Sequence, residues 1–196
     1  MINTNYATGR NIEGFKRGIK KYNIDFFDYV ICSNDPIILN NSLNVMSKNL
    51  FHEKDEKIIE QFFEDNKNMV ESIEIGEHEG ETYSYSITTN KEATAEWICQ
   101  CLKEELETVV VQKNGKYIDI TPDGTGKWSS LKKIFGSSGF NGVVSSIGDG
   151  ENDIDILTNS DYSFSFPFAN QKARNAAKMI CNDFEGSLLE IHKIFE

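Results

Sequence analysis

Apolar residues along this chain change spacing several times, and the changes mark out its elements. Ile2 to Ala7 alternates weakly as a strand, and Ile12, Phe15, Ile19 and Tyr22 then fall on one face of a helix. Tyr29-Val30-Ile31-Cys32-Ser33 is a continuous apolar run that stops at Asn34-Asp35-Pro36, as a buried strand does. Two strands joined by a helix of this length pair most easily in parallel, through a right-handed crossover.

From about Asn44 the texture changes. Lys54 to Met69 reads as an acidic amphipathic helix carrying Ile58, Ile59, Phe62, Phe63 and Met69. Alternating segments follow around Ser72-Ile75 and Thr82-Thr88, the pattern of antiparallel strands with one wet face. A second helix is expected from about Lys91 to Leu106, with Trp97, Ile98, Cys101, Leu102 and Leu106 inward. Strands Thr108-Gln112 and Lys116-Thr121 flank Lys113-Asn114-Gly115, whose Asn-Gly signals a hairpin. Thr121-Pro122-Asp123-Gly124 closes this small α+β module with turn chemistry. Strand and helix spacing then alternate again. A helix carries Trp128, Leu131 and Ile134, strands run through Val143-Ile147 and Tyr162-Phe166, and terminal helices start near Gln171 and Phe184. The expected fold is α/β, a Rossmann-like core of residues 1–43 and 122–196 interrupted by an inserted α+β cap of residues 44–121.

Composition narrows the function. With 196 residues, 39% of them hydrophobic and 13 Phe among them, the chain can bury a substantial core. No apolar run approaches the roughly 18 residues of a membrane span. A net charge of −11 repels polyanions, and the cations are dispersed, which argues against nucleic-acid binding. The start, Met1-Ile2-Asn3-Thr4-Asn5, lacks the basic flank and apolar core of a secretion signal, so a cytoplasmic location is expected. Cys32, Cys99, Cys101 and Cys181 form no CxxC pair and the three histidines lie far apart, so zinc is not indicated.

Four short segments stand beside expected strand ends or helix starts: Thr8-Gly9-Arg10, Asn34, Gly126-Lys127 and Gly148-Asp149-Gly150-Glu151-Asn152-Asp153. Thr8 brings a hydroxyl, and Gly9 an unobstructed N–H at a helix start, a pairing suited to phosphate. Lys127 adds a point charge. The last segment gathers carboxylates at the C-terminal edge of a strand, where a hard cation with oxygen ligands would offset their repulsion. A calcium-binding EF-hand loop is excluded, since its sixth position would be Ile154 rather than Gly and its twelfth Ser160 rather than Glu.

In this order the segments resemble the motifs of the haloacid dehalogenase (HAD) superfamily of phosphohydrolases, in particular its Cof-type and sucrose-phosphatase-like members. Thr8-Gly9-Arg10-Asn11 and Tyr29 to Asn34 resemble the second motif and the strand after it. Asp123-Gly124-Thr125-Gly126-Lys127 resembles the third, Gly148 to Asp153 the fourth, and Phe168-Ala169-Asn170 with its following helix the closing segment. The resemblance implies an Mg²⁺-dependent phosphatase acting on a small phosphorylated metabolite such as a sugar phosphate. It makes Thr8 and Lys127 catalytic, and Thr8, Gly9, Arg10, Asn34, Lys127, Asn152 and Asn170 phosphate- or substrate-binding. Asp149 and Asp153 become the metal residues, and Thr8, Lys127 and Asp149 are expected to share one phosphate.

Family members open with a strand ending in Asp-x-Asp, which supplies the nucleophile and the proton shuttle. Here the only Asp-x-Asp is Asp153-Ile154-Asp155, which overlaps the fourth motif at a helix start. Asp35 stands where the family commonly has Gly. The expectation is therefore a truncated, impaired phosphatase, or alternatively a pseudophosphatase that binds a phosphorylated metabolite without hydrolysing it. The absent strand would lie centrally, between the strand leading to Thr8 and that leading to Asp149. Its loss predicts either a gap there or direct pairing of Ile2-Ala7 with Val143-Ile147.

Overall fold

A computed structural model describes residues 4–24, 26–34, 36–124 and 126–195. The chain forms two compact units, Met1–Thr125 and Gly126–Glu196. The segment expected as a cap, residues 44–121, lies wholly within the first.

The first unit begins with strand β1 (Asn5–Ala7), helix α1 (Ile12–Tyr22) and strand β2 (Tyr29–Cys32). β1 and β2 run parallel, with Asn5 opposite Tyr29, as the helix between them requires. Asn11 starts α1 by accepting a hydrogen bond from the Gly14 N–H at 2.8 Å, and Asn23 ends it in the left-handed conformation at φ 52°. The expected strand at residues 2–7 is seen from Asn5; Ile2 and Asn3 lie outside the described residues, as does Asp35.

β2 then turns back through Ser33 and Asn34, both with positive φ, into two antiparallel strands. These are β3 (Ile37–Asn40) and β4 (Val45–Lys48), and the sheet order is β1-β2-β3-β4. Sequence spacing ends the preceding strand at Asn34-Asp35-Pro36 and marks no strand in this hairpin, because Ile37-Ile38-Leu39 carries no alternation.

The α+β module follows with helix α2 (Glu53–Asp65), strands β5 (Val70–His78) and β6 (Glu81–Thr89), helix α3 (Glu92–Glu105), and strands β7 (Val109–Asn114) and β8 (Tyr117–Pro122). The strands form an antiparallel sheet in the order β5-β6-β8-β7. Asn114 pairs with Tyr117, so the β7–β8 loop is Gly115-Lys116, with Gly115 at φ 59°. One face packs Tyr85, Ile87, Ile118 and Ile120 against Ile59 and Phe63 of α2 and Ile98 and Leu102 of α3. The other face is polar, because strand side chains alternate. A second core gathers Ile12, Phe15, Phe27, Val30, Cys32, Ile37 and Leu39, and Tyr83 of β6 joins it. The Tyr83 hydroxyl accepts from the Ile12 N–H at 3.4 Å, which fastens the module to the start of α1.

Two expected inward positions prove exposed. Tyr22, at the last turn of α1, is 60% exposed, and Trp97 is 43% exposed with its ring 6.0 Å from Phe62. Each follows the helical period but lies where the neighbouring layer has ended.

The second unit contains helix α4 (Lys127–Ser138), strand β9 (Ser145–Ile147), helix α5 (Ile154–Asn159), strand β10 (Tyr162–Ser165), helix α6 (Gln171–Ala176), strand β11 (Met179–Ile180) and helix α7 (Phe184–Phe195). Its three strands are all parallel, in the order β11-β10-β9. β1 and β9 are each the end strand of their own sheet.

Gly76 in β5 is crowded: a Cβ there would stand 2.2 Å from Ser84 Oγ and 2.5 Å from Tyr83 Cε2. Gly76→Ala is expected to destabilise the protein by about 1–3 kcal/mol, the usual cost of overpacking, read as a lower urea midpoint. Burial pushes the Cys32 thiol up from 9.0 to about 12. Between those two pH values the folded state keeps a proton the unfolded chain has lost, so stability is fully present below pH 9 and falls as pH rises. Burial raises Tyr83, Tyr85 and Cys99 in the same sense. Urea midpoints across the alkaline range should therefore fall with pH, and less steeply for Cys32→Ala.

Candidate active site

Strand β9 ends at Ile147, and the chain turns sharply through Gly148, Asp149 and Gly150 before a 3₁₀ turn at Glu151–Asp153 leads into α5. Asp153 organises this turn. Its Oδ2 accepts from the backbone N–H groups of Asp149 and Gly150, both at 2.9 Å, and its Oδ1 meets Lys127 Nζ at 2.5 Å. Lys127 is only 4% exposed, so this ion pair replaces the water both charges lost. Glycine is needed at 148 because a Cβ would stand 2.5 Å from Asp153 Cβ.

The neighbouring carboxylates have separate tasks. Asp155 Oδ2 accepts from the Trp128 N–H at 3.0 Å at the start of α4, and a Cβ on Gly126 would approach it to 2.8 Å. Glu151 pairs with Lys172 at 3.0 Å and accepts from Asn170 Nδ2 at 3.3 Å. Asn170 also caps α6 through the Lys172 N–H, and its own N–H donates to the Asp149 carbonyl at 2.9 Å. The Asn152 amide lies over Gly150, where a Cβ would be 2.4 Å from its Oδ1. Asp149 is exposed, and its carboxylate accepts no hydrogen bond and forms no ion pair among the described residues. The described residues contain no group of three His, Cys, Asp or Glu side chains arranged to hold a metal ion.

In the first unit the chain leaves β1 at Thr8, whose N–H donates to the Ile31 carbonyl at 2.9 Å and whose carbonyl accepts from the Asn34 N–H at 3.0 Å. The Thr8 hydroxyl oxygen accepts from the Arg10 N–H at 3.2 Å, leaving its proton free to donate outward. A Cβ on Gly9 would stand 3.3 Å from the buried Asn34 amide, so glycine lets the loop pass over it. Asn34 Nδ2 donates to Asp119 Oδ2 at 3.1 Å, and Ser86 Oγ donates to Asp119 Oδ1 at 2.8 Å. This chain ties the Thr8 loop to the polar face of the β5–β8 sheet. A cleft of about 500 Å³ opens beside the loop, lined by Gly9, Arg10, Arg17, Lys21, Glu74 and Ser86 among others.

The sequence profile of the haloacid dehalogenase-like hydrolases matches residues 43–186, most of the chain. The chain belongs to that family. Solved structures agree at the level of fold. A haloacid dehalogenase-like hydrolase from B. subtilis superposes with a TM-score of 0.82 at 13% identity, covering 97% of this chain and 87% of that one. One from Bacteroides thetaiotaomicron gives 0.77 at 18% identity, covering 99% and 87%. A second Bacteroides thetaiotaomicron protein, described among the phosphatases of the superfamily, gives 0.79 at 17% identity, covering 99% and 82%. A search of curated proteins finds no significant match. The α/β, Rossmann-like HAD fold is thus established for this chain.

Within this frame, the second unit brings Lys127, Asp149 and Asp153 together, with Asn152 and Asn170 supporting the same turn. The first unit groups Thr8, Gly9, Arg10 and Asn34. The motif residues did not reveal Asp119, Ser86, Arg17 or Lys21. Asp119 stands between Ile118 and Ile120, so alternation put it on the polar face, but its partner Asn34 lies 85 positions away. Removing one partner of a buried pair leaves the other charge uncompensated. Asp153→Asn should lower unfolding free energy by about 3–5 kcal/mol, whereas Lys172→Ala at the exposed Glu151 pair should cost at most about 1 kcal/mol, both read by urea denaturation.

Proposed function

We propose that this HAD-like hydrolase is a phosphatase of small phosphorylated metabolites, sugar phosphates being the leading class, with residues 44–121 serving as its cap. The observation that carries the reading is the Asp153 carboxylate, which clamps the buried Lys127 and the Asp149–Gly150 turn while the exposed Asp149 carboxylate stays uncommitted among the described residues. Lys127 Nζ would offset negative charge on the phosphoryl group. The Thr8 hydroxyl and the Gly9 N–H, which has no acceptor among the described residues, would donate to phosphoryl oxygens. Asn152 and Asn170 hold the Asp149 turn, and Asn34 backs the Thr8 loop.

The residues present fit magnesium, the cation the family uses. Magnesium takes one or two carboxylates and completes its shell with phosphate oxygens and water, and Asp149 offers one such carboxylate. Bound there, it would neutralise developing charge on the phosphate. Asp153, already committed to Lys127 and two amides, acts as the positioning residue for that ligand.

A second reading is a pseudophosphatase that binds a phosphorylated metabolite without hydrolysing it, and its motivation is the state of Asp153-Ile154-Asp155. Asp153 is engaged with Lys127, and Asp155 with the Trp128 and Ile156 N–H groups, so neither carboxylate is available as a nucleophile. A phosphatase assay with sugar monophosphates and Mg²⁺ separates the two. Turnover that falls by about 10²-fold or more in Asp149→Asn and Thr8→Val supports the enzyme. Tight binding with no turnover supports the binding protein, and turnover indifferent to both substitutions overturns the assignment of these residues.

A further inference from the structure

The cleft beside the Thr8 loop carries two cations, Arg17 and Lys21, that the phosphatase reading leaves unused, beside Arg10 of the loop itself. Its walls are the Gly9–Asn11 loop, one face of α1, and the β5–β6 part of the polar sheet face, all within the first unit. Arg10 lies along α1 over two glycines. A Cβ on Gly14 would stand 3.3 Å from Arg10 Cβ, and one on Gly18 would stand 3.2 Å from Arg10 Nη1. This brings the Arg10 guanidinium alongside the turn of α1 that bears Arg17 and Lys21, and all three side chains line the cleft.

None of these three cations has a carboxylate within ion-pair distance among the described residues, whereas Lys16 on the same helix pairs with Glu13 at 2.9 Å. Lys21 Nζ sits over its neighbour Tyr22 at 4.9 Å from the ring centre. In a chain of net charge −11, such a trio is unusual, because carboxylates are plentiful. The single acidic residue in the cleft is Glu74, directly across the strands from Ser86. The cations therefore exceed the local negative charge, and like charges held together in one cavity favour an anion.

Resting on the phosphatase reading, we propose that the cleft binds a second phosphate of the substrate, so that the preferred ligands are sugar bisphosphates. One phosphate would sit at the Thr8–Gly9 loop, and the other among Arg10, Arg17 and Lys21. Along α1, the distance from the loop to the Arg17–Gly18 turn is about 10 Å at 1.5 Å per residue, close to the length of a hexose with phosphates at both ends. Guanidinium groups suit the second phosphate because they can donate two parallel hydrogen bonds to it. Glu74, the acidic residue of the lining, would accept from sugar hydroxyls between the two phosphates.

The test is a titration of the full-length, ¹⁵N-labelled chain with fructose 1,6-bisphosphate, fructose 6-phosphate and fructose 1-phosphate, with chelator present to prevent turnover. Amide shifts locate each ligand, and calorimetry gives its affinity. The expected result is bisphosphate binding at least tenfold tighter than either monophosphate, with shifts at Arg17, Gly18, Lys21 and Ser86 as well as at Thr8 and Gly9. In the doubly substituted Arg17→Gln, Lys21→Gln protein, two exposed changes, that gap should close to under twofold. Equal affinities, or a gap that survives both substitutions, would overturn the cleft assignment. Shifts confined to Thr8 and Gly9 leave the phosphate loop standing and sink the cleft. Shifts confined to Arg17, Gly18 and Lys21 uphold the cleft and remove the phosphate role of Thr8. No shift with any of the three sugars overturns both.

Discussion

A single carboxylate, that of Asp153, sets the geometry on which the chemistry of the second unit rests. Buried ion pairs rarely add much stability over an apolar core, because desolvation costs nearly as much as attraction returns. This one has further partners. One oxygen holds Lys127, and the other holds two successive backbone N–H groups, so the carboxylate has strong donors on both sides. Those bonds shape the turn after β9 and direct Asp149 outward. The glycine at 148 follows from the same carboxylate, since no side chain fits against Asp153 there.

The first unit uses a softer arrangement for a similar purpose. Thr8 is held by crossing backbone hydrogen bonds to Ile31 and Asn34, and Asn34 is in turn held by Asp119 from the antiparallel sheet. If this loop receives phosphate as proposed, fixing its donors beforehand favours affinity, because ordering them on binding would cost free energy. Asn34 adopts the left-handed backbone region, which Asn tolerates better than most residues. Its side chain thereby reaches both the Gly9 loop and the sheet. Tyr83 makes the second link, with its ring in the core of the β1–β4 sheet and its hydroxyl on the first turn of α1.

These attachments also explain why the α+β module shares a unit with the N-terminal strands. The polar face of its sheet is partly committed to the N-terminal strands, because Ser86 donates to Asp119 and Asp119 also accepts from Asn34. In the proposed reading, substrate selectivity would reside on both walls of the cleft, the arginines of the loop and helix on one side and Glu74 and Ser86 of the sheet on the other.

Much of this was legible in the residues themselves. Most helix and strand positions follow from periodicity, and the Thr8-Gly9-Arg10 and Gly148–Asp153 segments stand out as short motifs whose geometry is local. Spacing alone also put Asp119 on the wet face of its strand. Periodicity reports which face of an element is apolar, though, and not what that face meets. Only the tertiary structure decided that Tyr22 and Trp97 lie beyond the packed layers, and that Ile37 to Leu39 turns back as a separate strand. It likewise decided that Asp153 turns inward to Lys127 while Asp149 stays free, and that Arg10 lies over Gly14 and Gly18 to join Arg17 and Lys21. Each of those outcomes depends on the position of a partner that local spacing does not encode.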